Sequence, residues 1–437
     1  MLETTMNLRK ILSVIEKNSK EPSILSESKS LYDSNQNLDE ERDLTEIRSG
    51  PFAASMKVQT LKHFVDDAHK DMDEELDEAS PKFLGATTRK FDDEELKAYL
   101  DRIISKEKTK SDKYKLPYIH GGNIPIVDEE GEKFNLDSLR TEITTRPDKI
   151  LKQNEKMQHS DGTSTIYFNV GLPALTGLAV NESNGDFVVV NTCPMAGDCK
   201  TYCYAMKGGY VQWKASSMAQ TRLLNFLLND PDGFMAKMEK EIRDAEKKYT
   251  KKKTKVAIRW HDAGDFFSPQ YLSAAYALAN KFPNVDFYSY TKIANVALGS
   301  KPDNFLINFS MGSQPSQERQ IDYKQVKHSK VVPKELFADL IVREHIPTGK
   351  TNKKTGEPIT KSEMKYKNAS SIQALKDRLA AKYSIAAKTI LTYDEMMRKK
   401  DKKGLDNSEK YNVIVKPGEG DDSANRHDVL GTYLLFH

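Results

Sequence analysis

The spacing of apolar positions divides the chain near residue 160. Before it, Leu8, Ile11, Leu12 and Ile15 share one face of a helix predicted over residues 1–19. Met56, Leu61, Phe64 and Val65 do the same over 53–78, and residues 20–50 between them are polar. A third helix is predicted over 92–105, where the acids from Asp92 to Glu95 suit a helix N-terminus. Helices of this kind, joined by polar linkers, build no core alone. Residues 1–110 therefore read as a charged extension, mostly helical or disordered, that docks on the main domain or on a partner. Residues 111–160 read as a linker and docking segment.

After residue 160 the period changes. Thr165–Val170, Leu178–Val180 and Phe187–Val190 read as strands, with a hairpin turn at Asn184-Gly185. Strands and helices then alternate. Helices are predicted over Lys214–Asn229, Gly233–Lys248, Pro269–Phe282 and Ser371–Ala381. Strands are predicted over Val256–Trp260, Val285–Tyr290, Phe305–Phe309, Leu340–Val342, Tyr411–Val415 and Thr432–Phe436. Residues 348–370 are polar and lysine-rich and read as a loop. Strands separated by helical crossovers predict an α/β domain over 161–437 with a parallel sheet, open or curled into a partial barrel.

Composition narrows the class. The 437 residues are 38% apolar and 30% charged, with no apolar run near the ~18 residues of a membrane span. The first residues lack the basic and apolar segments of a signal peptide, and three cysteines are too few for a secreted disulfide scaffold. The net charge of +3 hides an asymmetry: residues 1–150 hold 24 Lys+Arg against 32 Asp+Glu, and the remainder 43 against 32. A basic half admits a polyanion partner, and the run Lys247–Lys255 admits a phosphate contact, but no nucleic-acid-binding motif accompanies either. Nucleic acid is thus a weakly supported partner, beside an unknown protein reached through the N-terminal extension.

All three cysteines fall in one window, Cys193-Pro-Met-Ala-Gly-Asp-Cys199-Lys-Thr-Tyr-Cys203, directly after a predicted strand. Clustered thiolates in a reducing compartment point to a metal site. Three thiolates hold a [4Fe–4S] cluster by three corners; alternatively a fourth ligand, with His261 the obvious one, completes a zinc site. The next constellation is Arg259-Trp-His261-Asp262-Ala-Gly264-Asp265-Phe-Phe-Ser268-Pro, again at a strand end. Its glycine admits a tight turn or close approach to a ligand, and Ser268-Pro269 opens a helix. Lys292 ends the third strand, where a cation pairs with carboxylate or phosphate. Near the end, Asp421, Asp422, Arg426 and Asp428 either line a site or form a structural turn. His63, His69 and His328 receive no role.

These segments together resemble the phage gene product 88 family. The matching pieces are Cys193–Ala205, Ile258–Ser268, Tyr290-Thr-Lys292 and the turn Asp422…Arg426…Asp428, so the resemblance covers roughly 160–437. That family in turn looks like a distant relative of radical S-adenosylmethionine enzymes, which implies a partial barrel of parallel strands and helices. In those enzymes three cysteines after the first barrel strand hold a [4Fe–4S] cluster whose open iron binds S-adenosylmethionine. Tyr202 before the last cysteine agrees with them. The spacing departs: five residues and then three lie between the cysteines, where those enzymes have three and then two.

The resemblance implies a phage-encoded iron–sulfur protein acting in the host cytoplasm, with Cys193, Cys199 and Cys203 on the cluster. Gly264, Asp265 and Arg259 would hold the cofactor, and His261 or Lys292 would face an unnamed substrate. The alternative is a non-enzymatic protein, stapled by a cluster or zinc, that binds nucleic acid or a host or phage protein. A virion component is a third reading.

Overall fold

The computed structural model describes residues 84–91, 94, 136–153, 165–206, 214–351, 356–399, 401, 410–419 and 423–435. The helices predicted over 1–19 and 53–78 lie outside them, as does nearly all of 92–105. Thirteen strands are present among the described residues. β1 (Thr88–Phe91), β3 (Thr176–Val180) and β4 (Phe187–Asn191) form a small antiparallel sheet with β4 in the centre. The hairpin turns at Asn184-Gly185 as the sequence predicts, with Gly185 at φ +77°. β1 belongs to the extension, so at least this part of it joins the body.

The second sheet has eight strands, all parallel. They are β2 (Thr165–Val170), β5 (Lys255–Trp260), β6 (Asp286–Thr291), β7 (Phe305–Ser310), β8 (His328–Val332), β11 (Ile390–Thr392), β12 (Tyr411–Val415) and β13 (Val429–Leu435). Their spatial order is β2-β5-β6-β7-β8-β13-β12-β11. From β2 to β8 each strand is laid beside the last. The chain then crosses to the far edge and returns, so strand order reverses between β8 and β13. Such a reversal opens a crevice at the C-terminal ends of the strands.

Alternation along the strands gives this sheet two unlike faces. Ile258, Trp260, Phe287, Phe305 and Phe309 point to one face and form the main core with the helices α2 (Lys214–Asn229), α3 (Pro231–Thr250) and α4 (Pro269–Asn280). Phe287 and Phe305 stack there at 5.7 Å. The opposite face carries a smaller cluster of Tyr167, Ala257, Tyr288 and Ala424. Ala424 lies in the loop between β12 and β13, which passes under this face. Asn308 Nδ2 donates to the Ala424 carbonyl (3.2 Å), and the buried Lys327 amine donates to the carbonyls of Ser423, Arg426 and Val429. Burial lowers the Lys327 pKa to about 7. Arg426 pairs with the fully buried Asp428 at 2.8 Å. The C-terminal turn is thus a structural plug; Asp421 and Asp422 lie outside the described residues.

Further elements are absent from the sequence reading. The helix α1 (Leu136–Thr144) falls in the segment read as linker, yet buries Leu139 and Ile143 completely and lays the Arg140 guanidinium over Phe187 at 4.5 Å. The sequence pattern hides β8, because Lys330 interrupts its apolar run; the lysine amine lies over the Tyr323 ring at 3.6 Å. The described residues of the polar segment 348–370, read as a loop, are largely strand. β9 (Ile341–Thr351) and β10 (Pro358–Tyr366) pair as an antiparallel hairpin, followed by the helix α5 (Ala369–Tyr383). Both faces of the hairpin meet solvent, so it lacks the alternation that marks a half-buried strand.

The outer edge of β3 is covered by side chains rather than by a strand. Asn225 on α2 accepts from Val180 N (2.8 Å) and donates to Leu178 O (3.1 Å), and Asn229 donates to Val180 O (2.8 Å). Replacing Asn225 with Leu keeps the branched shape but strands two buried backbone groups. We expect Asn225→Leu to lower unfolding free energy by about 3 kcal/mol in urea titrations.

Candidate functional site

A cavity of about 590 Å³ opens over the C-terminal ends of the parallel strands. It reaches from the end of β2 across to β13 and contains all three cysteines, with Arg259, Tyr290 and Lys292 on its wall. The cysteine loop follows β4 of the small antiparallel sheet, not a parallel strand as the sequence suggested. It reaches the larger sheet as part of the connection from β2 to β5.

The loop is clamped against the segment after β7. Gly197 N and Cys199 N both donate to Gly312 O at 3.0 Å, and Gln314 N donates to Met195 O at 3.0 Å. A short helix, Cys199–Tyr202, begins there. The seam requires glycine on both sides. A Cβ on Gly197 would fall 2.2 Å from the Ser313 carbonyl oxygen. One on Gly312 (φ +88°) would fall 2.0 Å from the Tyr202 hydroxyl and 3.1 Å from Cys199 Cβ. The first cysteine is held from another side, with its Sγ accepting from Leu175 N at 3.2 Å.

Burial pushes the Cys193 thiol well up, aided by the Asp265 carboxylate and the other thiols. Burial also raises Cys199, although the Lys292 and Lys200 ammoniums oppose it. Without a cation the protonated thiols are favoured, so a metal would bind with proton release. Among the described residues, no three His, Cys, Asp or Glu side chains stand close enough to hold one ion.

The turn after β5 shows how the second constellation is used. His261 takes a left-handed backbone (φ +68°) and Gly264 another (φ +83°), so the chain doubles back twice within four residues. Asp262 N returns to Val170 O (3.0 Å), and the Asp262 carboxylate accepts from Asn169 Nδ2 (2.7 Å). His261 is buried, packed edge-on to Phe266. Tyr271 Oη accepts from Trp260 Nε1 (3.0 Å) and lies 3.0 Å from His261 Nε2. Burial depresses the pKa of the His261 ring to about 3. His261 is therefore a neutral wall residue with one nitrogen already engaged.

Asp265 is also committed. Its carboxylate accepts from Phe266 N (2.7 Å), the Thr291 hydroxyl (2.8 Å) and Lys292 N (2.7 Å), while its own N–H donates to Thr192 O (2.8 Å). Lys292 Nζ spans to the Ser310 hydroxyl (2.7 Å) and the Met311 carbonyl (2.6 Å), tying the end of β6 to that of β7. Arg259 lies over the Tyr290 ring at 4.9 Å. The structure thus brings the three cysteines, Arg259, His261, Gly264, Asp265 and Lys292 to one cavity, but Asp265 and Lys292 are hydrogen-bonded to the loops themselves. Sequence reasoning missed Lys152, Val331 and Leu434 on the wall. Lys152 lies in the segment read as linker. Val331 and Leu434 are paired across β8 and β13, and only the strand order brings them to the site.

Residues 144–384 match the gene product 88 family. The chain belongs to this family. The match starts earlier than the motifs implied and stops before the Arg426–Asp428 turn. The "Gene 88 protein" of Mycobacterium phage D29 is 31% identical over 157 residues, and that of phage L5 is 29% identical. Each alignment covers 34% of this chain and 59% of the relative, so the similarity spans under two thirds of those proteins. No solved structure matches the chain. Among the described residues, no helix is long and apolar enough to cross a membrane.

Two substitutions probe the site's construction. Gly312→Ala should push the Cys199 helix off its seat and lower the thermal midpoint by several degrees. Asp265→Asn tests the buried carboxyl, whose pKa burial raises from 3.8 to about 6. The folded chain holds this proton more tightly than the unfolded chain, so stability from this group falls as pH rises through that range and is level above it. The stability of wild type relative to Asp265→Asn should therefore decline between those pH values in paired denaturant titrations.

Proposed function

We propose that this family member is an iron–sulfur protein of the radical S-adenosylmethionine type, with a [4Fe–4S] cluster on Cys193, Cys199 and Cys203. The observation that carries the reading is the placement of three thiols around one cavity at the C-terminal edge of a parallel sheet. Three thiols supply three corners of a cluster, each on a different iron, and are one ligand short of a closed zinc site. The consecutive order β2-β5-β6-β7-β8, with the cysteines in the first crossover, supports a partial-barrel relationship.

When bound, such a cluster would supply a single electron to a sulfonium cofactor. The chain's own residues bind and orient. Lys292 places a cation beside Cys199, favouring the thiolate that a metal needs. Arg259, spread on Tyr290, offers donors in a fixed plane to a carboxylate or phosphate. Asp262 presents the acid of the Gly264 turn to the cavity, while Asp265 holds the turn in place. His261, neutral and buried, keeps the wall dry and titrates far below neutrality. The host cytoplasm, a reducing compartment, suits free thiols of this kind.

The test is anaerobic purification with iron, sulfide and zinc analysis, then electron paramagnetic resonance of the reduced protein with and without S-adenosylmethionine. We expect about four irons and four sulfides per chain, a signal that shifts on adding the cofactor, and loss of iron in Cys193→Ser, Cys199→Ser and Cys203→Ser. A signal indifferent to the cofactor would leave a structural or electron-transfer cluster. One zinc without sulfide would overturn the proposal in favour of a zinc-stapled binding protein.

A further inference from the structure

The helix α3 ends in a run of cations. Residues 247–255 hold six lysines and no acid. Lys247, Lys248, Lys251, Lys252 and Lys253 are all exposed. Among the described residues none of these five forms an ion pair, whereas Lys240, Arg243, Lys255 and Lys281 around them each pair with a carboxylate. Because α3 leads into β5, the run lies at the N-terminal edge of the parallel sheet, opposite the cavity. It is therefore independent of whatever the cysteines hold.

The cluster exceeds what the fold requires. A helix C-terminus carries the equivalent of about half a negative charge, which a single cation answers. Tyr249 packs edge-on to Phe168, and the amines of Lys248 and Lys252 lie over its ring at 5.0 and 5.7 Å. Like charges gathered around one ring repel unless an anion stands among them. Lys253 takes a left-handed backbone (φ +56°) in the turn that closes the helix, where its N–H donates to Thr250 O (3.0 Å). Glycine fills such a position without strain. Here a lysine side chain is kept instead.

We propose that this patch binds the phosphate backbone of duplex DNA without reading its sequence. A duplex carries one negative charge for about every 1.7 Å of its axis. Five neighbouring amines match that density better than the scattered acids of a protein surface do. Lysine ammoniums on long stems suit phosphates as point charges. Base readout calls on Arg, Asn or Gln in the groove, and residues 247–255 contain none. Duplex RNA is recognised partly through its 2′-hydroxyls. For these the run offers two threonines, and the Thr254 hydroxyl already donates to Lys252 O (3.4 Å). The contact therefore holds the protein on DNA and leaves the cavity open on the opposite edge.

The experiment uses the full chain and two fluorescently labelled DNA duplexes of unrelated sequence, each about 30 base pairs or roughly three helical turns, read by anisotropy across a salt series. Both should bind alike, with an affinity that falls steeply with salt. Lys247→Gln/Lys248→Gln/Lys251→Gln/Lys252→Gln/Lys253→Gln should weaken binding at least about tenfold and flatten the log–log salt slope by roughly 0.9 for each phosphate no longer neutralised. The milder Lys251→Gln/Lys253→Gln, beyond the end of α3, should weaken it about threefold or more. Replacing all five lysines with arginine should keep the affinity at or above wild type. Lys240→Gln/Lys281→Gln, which removes paired charges, should leave it within about twofold. Circular dichroism melts of the variants should overlay, because the five positions are exposed. Absence of binding at low salt, or glutamine variants that bind like wild type, would overturn the proposal. Binding of polyglutamate in place of DNA would reassign the patch to an acidic protein. Strong preference for one sequence, or duplex RNA bound more than about tenfold tighter, would overturn contact with the DNA backbone alone.

Discussion

One buried carboxylate organises the cavity. Asp265 links the ends of three strands: its amide reaches Thr192 before the cysteines, its oxygens take Thr291 and Lys292 after β6, and it sits in the turn after β5. Withdrawing a carboxylate from water is expensive unless its lone pairs are filled. Here Phe266, Thr291 and Lys292 donate to them, so the desolvation cost is partly offset, and only when the turn after β5 and the end of β6 are both in position. The preference for the arranged state is cooperative for that reason. The Lys292 bridge to β7 and the Gly197–Gly312 seam continue the same connection to the cysteine loop.

The electrostatics of the cysteine end follow from this arrangement. Burial and the Asp265 carboxylate disfavour thiolates, most strongly at Cys193, while Lys292 favours one at Cys199. The three sulfurs are therefore inequivalent before anything binds. A cation entering the cavity changes the balance at all three, and its affinity is tied to proton release and hence to pH.

Much of this was legible in the sequence. The strands of the parallel sheet and the helices packed on it follow apolar alternation and capping residues such as Ser268, whose hydroxyl accepts from Tyr271 N. The cysteine window and the Arg259–Ser268 block stood out because cysteines are few and mixed polar groups cluster at strand ends. What stayed hidden depends on distant partners. Lys330 reads as a break until Tyr323 is seen beneath it. The hairpin lacks periodicity because no face is buried. The hydrogen bonds by which Asp265 ties the Gly264 turn to Thr291 and Lys292 reach another strand end and leave no mark in the local sequence. The reversal of strand order, which brings Val331 and Leu434 to the site, leaves no local trace.

The position of β13 governs how the molecule is made. It pairs with β8 on one side and β12 on the other, and Gly431 lies opposite His328. About a hundred residues must therefore leave the ribosome after β8 before its neighbour exists. Throughout that interval β8 presents an unpaired edge, and the plug that Lys327 anchors is missing. An exposed edge of this kind invites pairing with other chains. A late, long-range closure also slows folding. The parallel sheet is thus finished from its middle, and an interior strand is the last to gain its neighbour.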